Sequence, residues 1–281
     1  MPVGDDVVPA AAHRSPAGTA DQISRPEHYT RAWIAEQRER YSAVLSDLAA
    51  SGPQIFAQDP LFVRTEAPRG RIDGATVAAH RAWLARGRSG PGRLEVVTSD
   101  AAGVKLDREW LIAARLVGVN LMQASLHGAL LDDSELVDVD LRATVLVQSV
   151  WLGAKLHGCW LDVADLRGAW LKGIEATNCS FTEVQFTESS CDDARFVGTD
   201  FRSSRFTRAS LRGAVFDDCD LGGVDLEGCD LEGASFVRCR FRDMVGRPAS
   251  IARVTLIDPD ISPAGDGSDI ATQDELLAYW R

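Results

Sequence analysis

Apolar side chains between Val104 and Asp243 recur at every fifth position. From Leu106 to Phe241 each fifth residue is Leu or Phe, apart from Trp151, Ala176 and Cys191, and the pattern holds for 28 consecutive copies. Two residues before each of these sites stands something small or short, as in Ala124, Ala129, Ser134, Val139, Thr144, Ser149, Ala154 and Cys159. A period of five fits neither an α-helix nor a strand. It marks a structural repeat, in which each unit buries its inward side chains by stacking on its neighbours and the two ends need caps.

The flanks follow helical rules instead. Residues 1–23, rich in Ala, Pro and Gly, predict a disordered tail. Ser24-Arg25-Pro26-Glu27 forms a capping box, after which Tyr29, Trp33, Tyr41, Val44, Leu45 and Leu48 recur at helical spacing until Ser51-Gly52-Pro53 stops the run. The apolar stripe of this amphipathic helix must lie on something. A second helix is predicted from Thr76 to Arg86, so that residues 24–95 form a helical region packed on the repeat, which occupies 96–245. Val96 and Ala101 keep the five-residue phase, so a degenerate extra coil precedes Leu106. The phase is lost at Gly246-Arg247-Pro248, a short strand is expected within Ile251–Ile257, and 246–281 reads as a C-terminal cap. Its helix, 272–281, opens on a second capping box at Thr272-Gln273-Asp274-Glu275.

The order small, polar, Leu or Phe, then two polar or Gly residues is clearest in Ala164-Asp165-Leu166-Arg167-Gly168 and Cys229-Asp230-Leu231-Glu232-Gly233. It resembles the pentapeptide-repeat family over 140 of 281 residues. The resemblance implies an all-β solenoid, a right-handed quadrilateral β-helix of about seven coils with four pentapeptides each. At strand spacing of about 4.8 Å per coil the rod would be roughly 34 Å long. Resemblance to gyrase-protecting, resistance-type members implies a DNA-mimicking protein that binds a type II topoisomerase, without contacting nucleic acid itself. In those relatives a C-terminal helix joins two rods, a role that would fall here to Leu276, Leu277 and Trp280. Capping Phe236 and Phe241 without dimerisation is the alternative.

Charge limits the mimicry. From Val104 to Asp243 there are 15 Lys/Arg against 23 Asp/Glu, a net of −8. B-DNA of the rod's length would carry on the order of 20 negative charges. An acidic strip of Asp217, Asp218, Asp220, Asp225, Glu227, Asp230 and Glu232 could mimic DNA locally, or its charges could pair with Arg205, Arg208, Arg212, Arg238, Arg240 and Arg242 nearby. The net charge of −11 for the whole chain argues against non-specific nucleic-acid binding.

With residues 20 apart aligned, one outward column set is apolar: Trp110, Ile112, Leu130, Val150, Leu152 and Trp170, with Val117, Val137, Val145, Val147 and Trp160 nearby. So large an exposed patch needs a cover, a partner or a ligand. The candidates are the N-terminal helix pair, a protein or dimer interface, and a pocket for an apolar small molecule. Trp151 is odd because it occupies an inward Leu/Phe site. Either Ala176 in the next coil relieves the crowding, or a bulge turns the ring outward beside the apolar set and makes a ligand site.

No HExxH, GxSxG or Walker motif accompanies the five histidines, and no cysteine spacing nominates a metal, so neither cofactor nor catalytic group is assigned. Cys159, Cys179, Cys191, Cys219, Cys229 and Cys239 all fall at inward sites and read as small core residues rather than disulfides. Without an apolar run long enough to span a bilayer or a signal-type N-terminus, a cytoplasmic location is expected. The leading expectation is a non-enzymatic protein-interaction module, with a small-molecule site on the Trp-rich face and a scaffold for another protein as the alternatives.

Overall fold

The computed structural model describes residues 70–262, 267 and 269–280. The predicted tail 1–23 and the first predicted helix lie outside the described residues. The described elements are α1 (Gly74–Ala85), β1 (Glu95–Val97), β2 (Arg115–Val117), β3 (Glu135–Val137), β4 (Lys155–His157), β5 (Glu175–Thr177), β6 (Arg195–Val197), β7 (Val215–Asp217), β8 (Ser235–Val237), β9 (Thr255–Ile257) and α2 (Gln273–Trp280).

The nine strands form one parallel sheet in sequence order. Each pairs with the next at a constant shift of four pentapeptides, one full coil, as in Leu116 on Leu136 on Leu156 on Ala176. Three further ladders of single bridges keep the same shift: one from Asp100 to Asp260, one from Lys105 to Val245, and one from Trp110 to Ser250. The sheet and the three ladders are the four sides of a right-handed β-helix of about eight coils, called here the first to fourth sides in that order. Every side is five residues long because a corner must follow each inward Leu or Phe. The second residue after that site turns with positive φ, as at Asp133 (φ 55) and Asn178 (φ 53). Gly, Asn and Asp tolerate this conformation best, which is why they recur there.

Inward side chains stack from coil to coil. Phe186 and Phe206 lie 4.4 Å apart at 3°, and Phe216 and Phe236 4.8 Å apart at 12°. Rings one coil apart inherit the strand spacing and meet face to face. All six cysteines are free and buried in this core, and burial pushes the Cys191 thiol up to about 12. Trp151 also points inward at 1% exposure, and its indole N–H donates to Ser149 Oγ at 2.7 Å. Its backbone N–H donates to the Trp170 carbonyl like any other rung. The outward bulge therefore does not form. Ala176 is fully buried in the same core.

The rod is longer than the apolar repeat suggested. The phase is not lost at Gly246: Ile251, Leu256 and Ile261 resume it, and β9 pairs with β8 in register. Gly246 has φ 80, and a Cβ there would lie 2.4 Å from the Glu227 backbone nitrogen. The chain presses so closely on the coil before it that no Leu fits.

Both ends are closed. At the first coil, Ile72 and Val77 join the core and Asp73 caps α1 through the Thr76 N–H at 2.9 Å. His80 is fully buried between α1 and the rod: its Nδ1 accepts from Leu94 N–H at 2.9 Å, so its Nε2 carries the hydrogen donated to the Ile112 carbonyl at 3.1 Å. Burial, with help from Arg93 and Arg88, holds the His80 pKa below its ordinary value of 6.5. Folding thus favours neutral His80, so its contribution is complete above pH 6.5 and is lost as pH falls through the depressed native value. Hydrogen exchange at pH 5 should show α1 amides faster, relative to the core strands β4 to β6, than at pH 7.5. At the far end, Thr272 and Glu275 form the expected capping box. Trp280 of α2 packs on Phe236 and Phe241 at 6.1 and 5.9 Å.

Candidate functional site

Trp110, Leu130, Val150 and Trp170 are successive rungs of the fourth-side ladder. Their alignment follows from the one-coil shift, and their outward direction from their place immediately before an inward site. Trp110 is 44% exposed and Trp170 48%, while Leu130 and Val150 between them are half-buried. Ile112 and Leu152, each two residues after a rung, are half-buried as well. Trp160 belongs to the second side, between Asp140 and Ser180, and stands apart from this column. Trp151, being inward, is no part of it.

Of the two helices expected to cover the column, α1 sits instead over the end of the rod. It reaches Glu109 through Arg81 and the Ile112 carbonyl through His80, and leaves the Trp110 and Trp170 rings open. In the loop after α1, Arg88 pairs with Asp133 at 3.1 Å and Arg93 donates to the Ala113 carbonyl at 2.8 Å, which ties the loop to the rod.

The acidic set does not form a strip. Asp217 to Glu232 are neighbours in sequence, so they wind around the coil: Asp217 on the first side, Asp220 on the second, Asp225 on the third, Asp230 on the fourth. A line of charge along the rod would need acids at the same place in successive coils. Most of the set is also engaged. Asp217 pairs with Arg238, Asp220 with Arg242 at 3.2 Å, Asp230 with Arg212 at 2.9 Å, and Glu232 with both Arg212 and Arg253. Asp225 accepts from Thr207, and Glu227 from the Arg247 N–H at 2.9 Å. Asp218 is exposed.

The acids just before the inward sites have a structural task that their position could have revealed. Asp140, Asp200, Asp220, Asp225 and Asp230 each accept the backbone N–H two residues on, at 2.9 to 3.1 Å. These side chains close corners of the rod by local hydrogen bonding to the backbone. Much of the negative charge is therefore spent on the fold.

At the C-terminal end, Leu276 and Trp280 are buried against their own rod, where Trp280 meets Phe236 and Phe241, and Leu277 is partly buried there. Among the described residues no His/Cys/Asp/Glu group fits a metal ion, and no helix is long and apolar enough to cross a membrane.

Four-sided coils of five-residue units define a quadrilateral parallel β-helix. The chain carries a pentapeptide-repeat region: residues 171–245 match the family model of that description, and the same ladders run on beyond both limits. No curated protein matches the chain. HetL, a pentapeptide repeat protein involved in heterocyst differentiation regulation from Nostoc sp. strain PCC 7120, is a similar solved structure. It shows 18% identity and a TM-score of 0.40, covering 70% of this chain and 99% of that one. A trypsin-treated variant of QnrB1, a plasmid-mediated fluoroquinolone resistance protein, shows 16% identity and a TM-score of 0.38 over 66% of this chain and 95% of its own. A pentapeptide repeat protein of the Arabidopsis thaliana thylakoid lumen shows 20% identity and a TM-score of 0.34, covering 41% and 75%.

Proposed function

We propose that the chain is a non-enzymatic protein-interaction module whose contact surface is the fourth-side column from Trp110 to Trp170. The exposed indoles at its two ends carry this reading. Large aromatic side chains held outward on a rigid scaffold provide contact area with little conformational entropy to lose. Three coil steps separate them, about 14 Å, which suits a protein surface better than a single small ligand. A small-molecule site loses its main support with Trp151 turned inward.

The resemblance in the repeat makes a type II topoisomerase, gyrase above all, the partner to test first, with antibiotic or self-resistance as the outcome of binding. Contact through the apolar column is favoured over charge mimicry, because most of the acids are engaged and the set encircles the rod. The experiment is gyrase supercoiling with purified protein, with and without a fluoroquinolone. Inhibition, or rescue from the drug, supports a gyrase partner. A protein that does neither overturns it.

A further inference from the structure

A second apolar area lies around the corner between the second and third sides, and its outward side chains are buried. Val145 and Val147 on the third side are 7% and 2% exposed, and Val163 at the corner is 8% exposed. Ser125, Arg142 and Asp162 beside them are buried too. The same positions are open elsewhere along the rod: Lys105, Arg205 and Val245 in the Val145 column, Asp107 and Glu227 in the Val147 column, and Glu183 in the Val163 column. Burial is therefore local to this patch and is no general property of these positions. Neither described helix reaches it, for the contacts of α1 run to Leu94, Glu109 and Ile112, and those of α2 to Phe236, Phe241 and Leu256.

We infer that the segment 24–48 of the same chain docks on this corner, with Tyr29, Trp33, Tyr41, Val44, Leu45 and Leu48 turned toward Val145, Val147 and Val163. The described chain starts at Gly70, whose backbone lies against Glu95 and Val96 of the first coil. The link from 49 to 69 spans up to about 70 Å when extended, enough to reach any side of the rod. As a helix, 24–48 is about 37 Å long, and the patch needs only two coil steps, about 10 Å. A tether of this kind gives an effective concentration near millimolar, which favours the chain's own segment over a second copy. Both rod ends are already occupied by α1 and α2, and the fourth-side indoles are exposed while Val145, Val147 and Val163 are covered, so the stripe is assigned to this corner. The fourth-side column stays open, whichever partner takes it.

Photo-crosslinking in the full chain tests this. p-Benzoylphenylalanine at His127, half-buried on the third side, should cross-link within one chain to peptides from 24–48. The same probe at Trp170 should not. No product at 127, a product joining two chains, or cross-linking of 24–48 from position 170 would each overturn the docking. A second measurement guards against a misplaced probe. In the full-length Val147→Asp protein, trypsin should cut after Arg31, Arg38 and Arg40 at least fivefold faster than in the unaltered chain, with the rod still resistant. Unchanged cleavage in a folded variant is evidence against the docking.

Discussion

Replacing Phe201 by alanine is expected to lower the free energy of unfolding by about 4 kcal/mol, near the upper end of single core truncations. The ring is fully buried and meets five others, with centroids at 5.2 Å to Phe181, 6.1 Å to Phe186, 4.9 Å to Phe196, 5.7 Å to Phe206 and 5.5 Å to Phe216. No larger side chain can collapse into the gap, because every neighbour is held by its own coil. Stability in a stacked repeat is shared mainly between adjacent coils, so exchange should quicken first around β5 to β7. Denaturant titration gives the magnitude. Arg202→Ala, next door but exposed, should cost under about 1 kcal/mol although it breaks an ion pair with Asp200.

Gly246→Leu is the second large effect, and its direction runs against the repeat. Leu is the commonest residue at this phase, so by pattern the change looks like a repair. Yet φ is 80, and the added Cβ would fall 2.4 Å from Glu227 N and 2.8 Å from Glu227 Cα, both backbone atoms that cannot swing aside. Left-handed strain and the clash together should cost about 3 kcal/mol. The loss should show as early melting of β9 and α2, measured by hydrogen exchange. A Gly246→Leu protein as stable as the parent would mean that the coil closes differently there.

These two residues show how far the chain could be read before its structure. The inside was legible because one rule, an inward residue every five positions, decides burial. Even the misfit Trp151 obeys it by finding Ser149 for its indole N–H. Gly246 hid the last coil because a single absent side chain looked like the end of the pattern, although Ile251, Leu256 and Ile261 continued it. The outside was harder. Asp217 to Glu232 looked like one acidic strip because they are close in sequence, but a coil carries such residues around the rod. Trp110, Leu130, Val150 and Trp170 are scattered in sequence and adjacent in space. His80 gave no sign of its place in the α1 joint, since its partners are the backbone groups of Leu94 and Ile112.

The apolar column and the acids make opposite claims on binding, and one titration separates them. The quantity is the protein concentration that half-inhibits gyrase supercoiling, or half-restores it in the presence of a fluoroquinolone. It should be compared among the unaltered chain, Trp110→Ser/Trp170→Ser and Asp218→Asn/Glu227→Gln. Loss of two aromatic anchors should raise it at least tenfold, and neutralising two exposed acids should leave it within about twofold. The reverse order would contradict a contact surface built on the Trp110–Trp170 column, and an unaltered chain with no effect at any concentration would contradict gyrase as the partner.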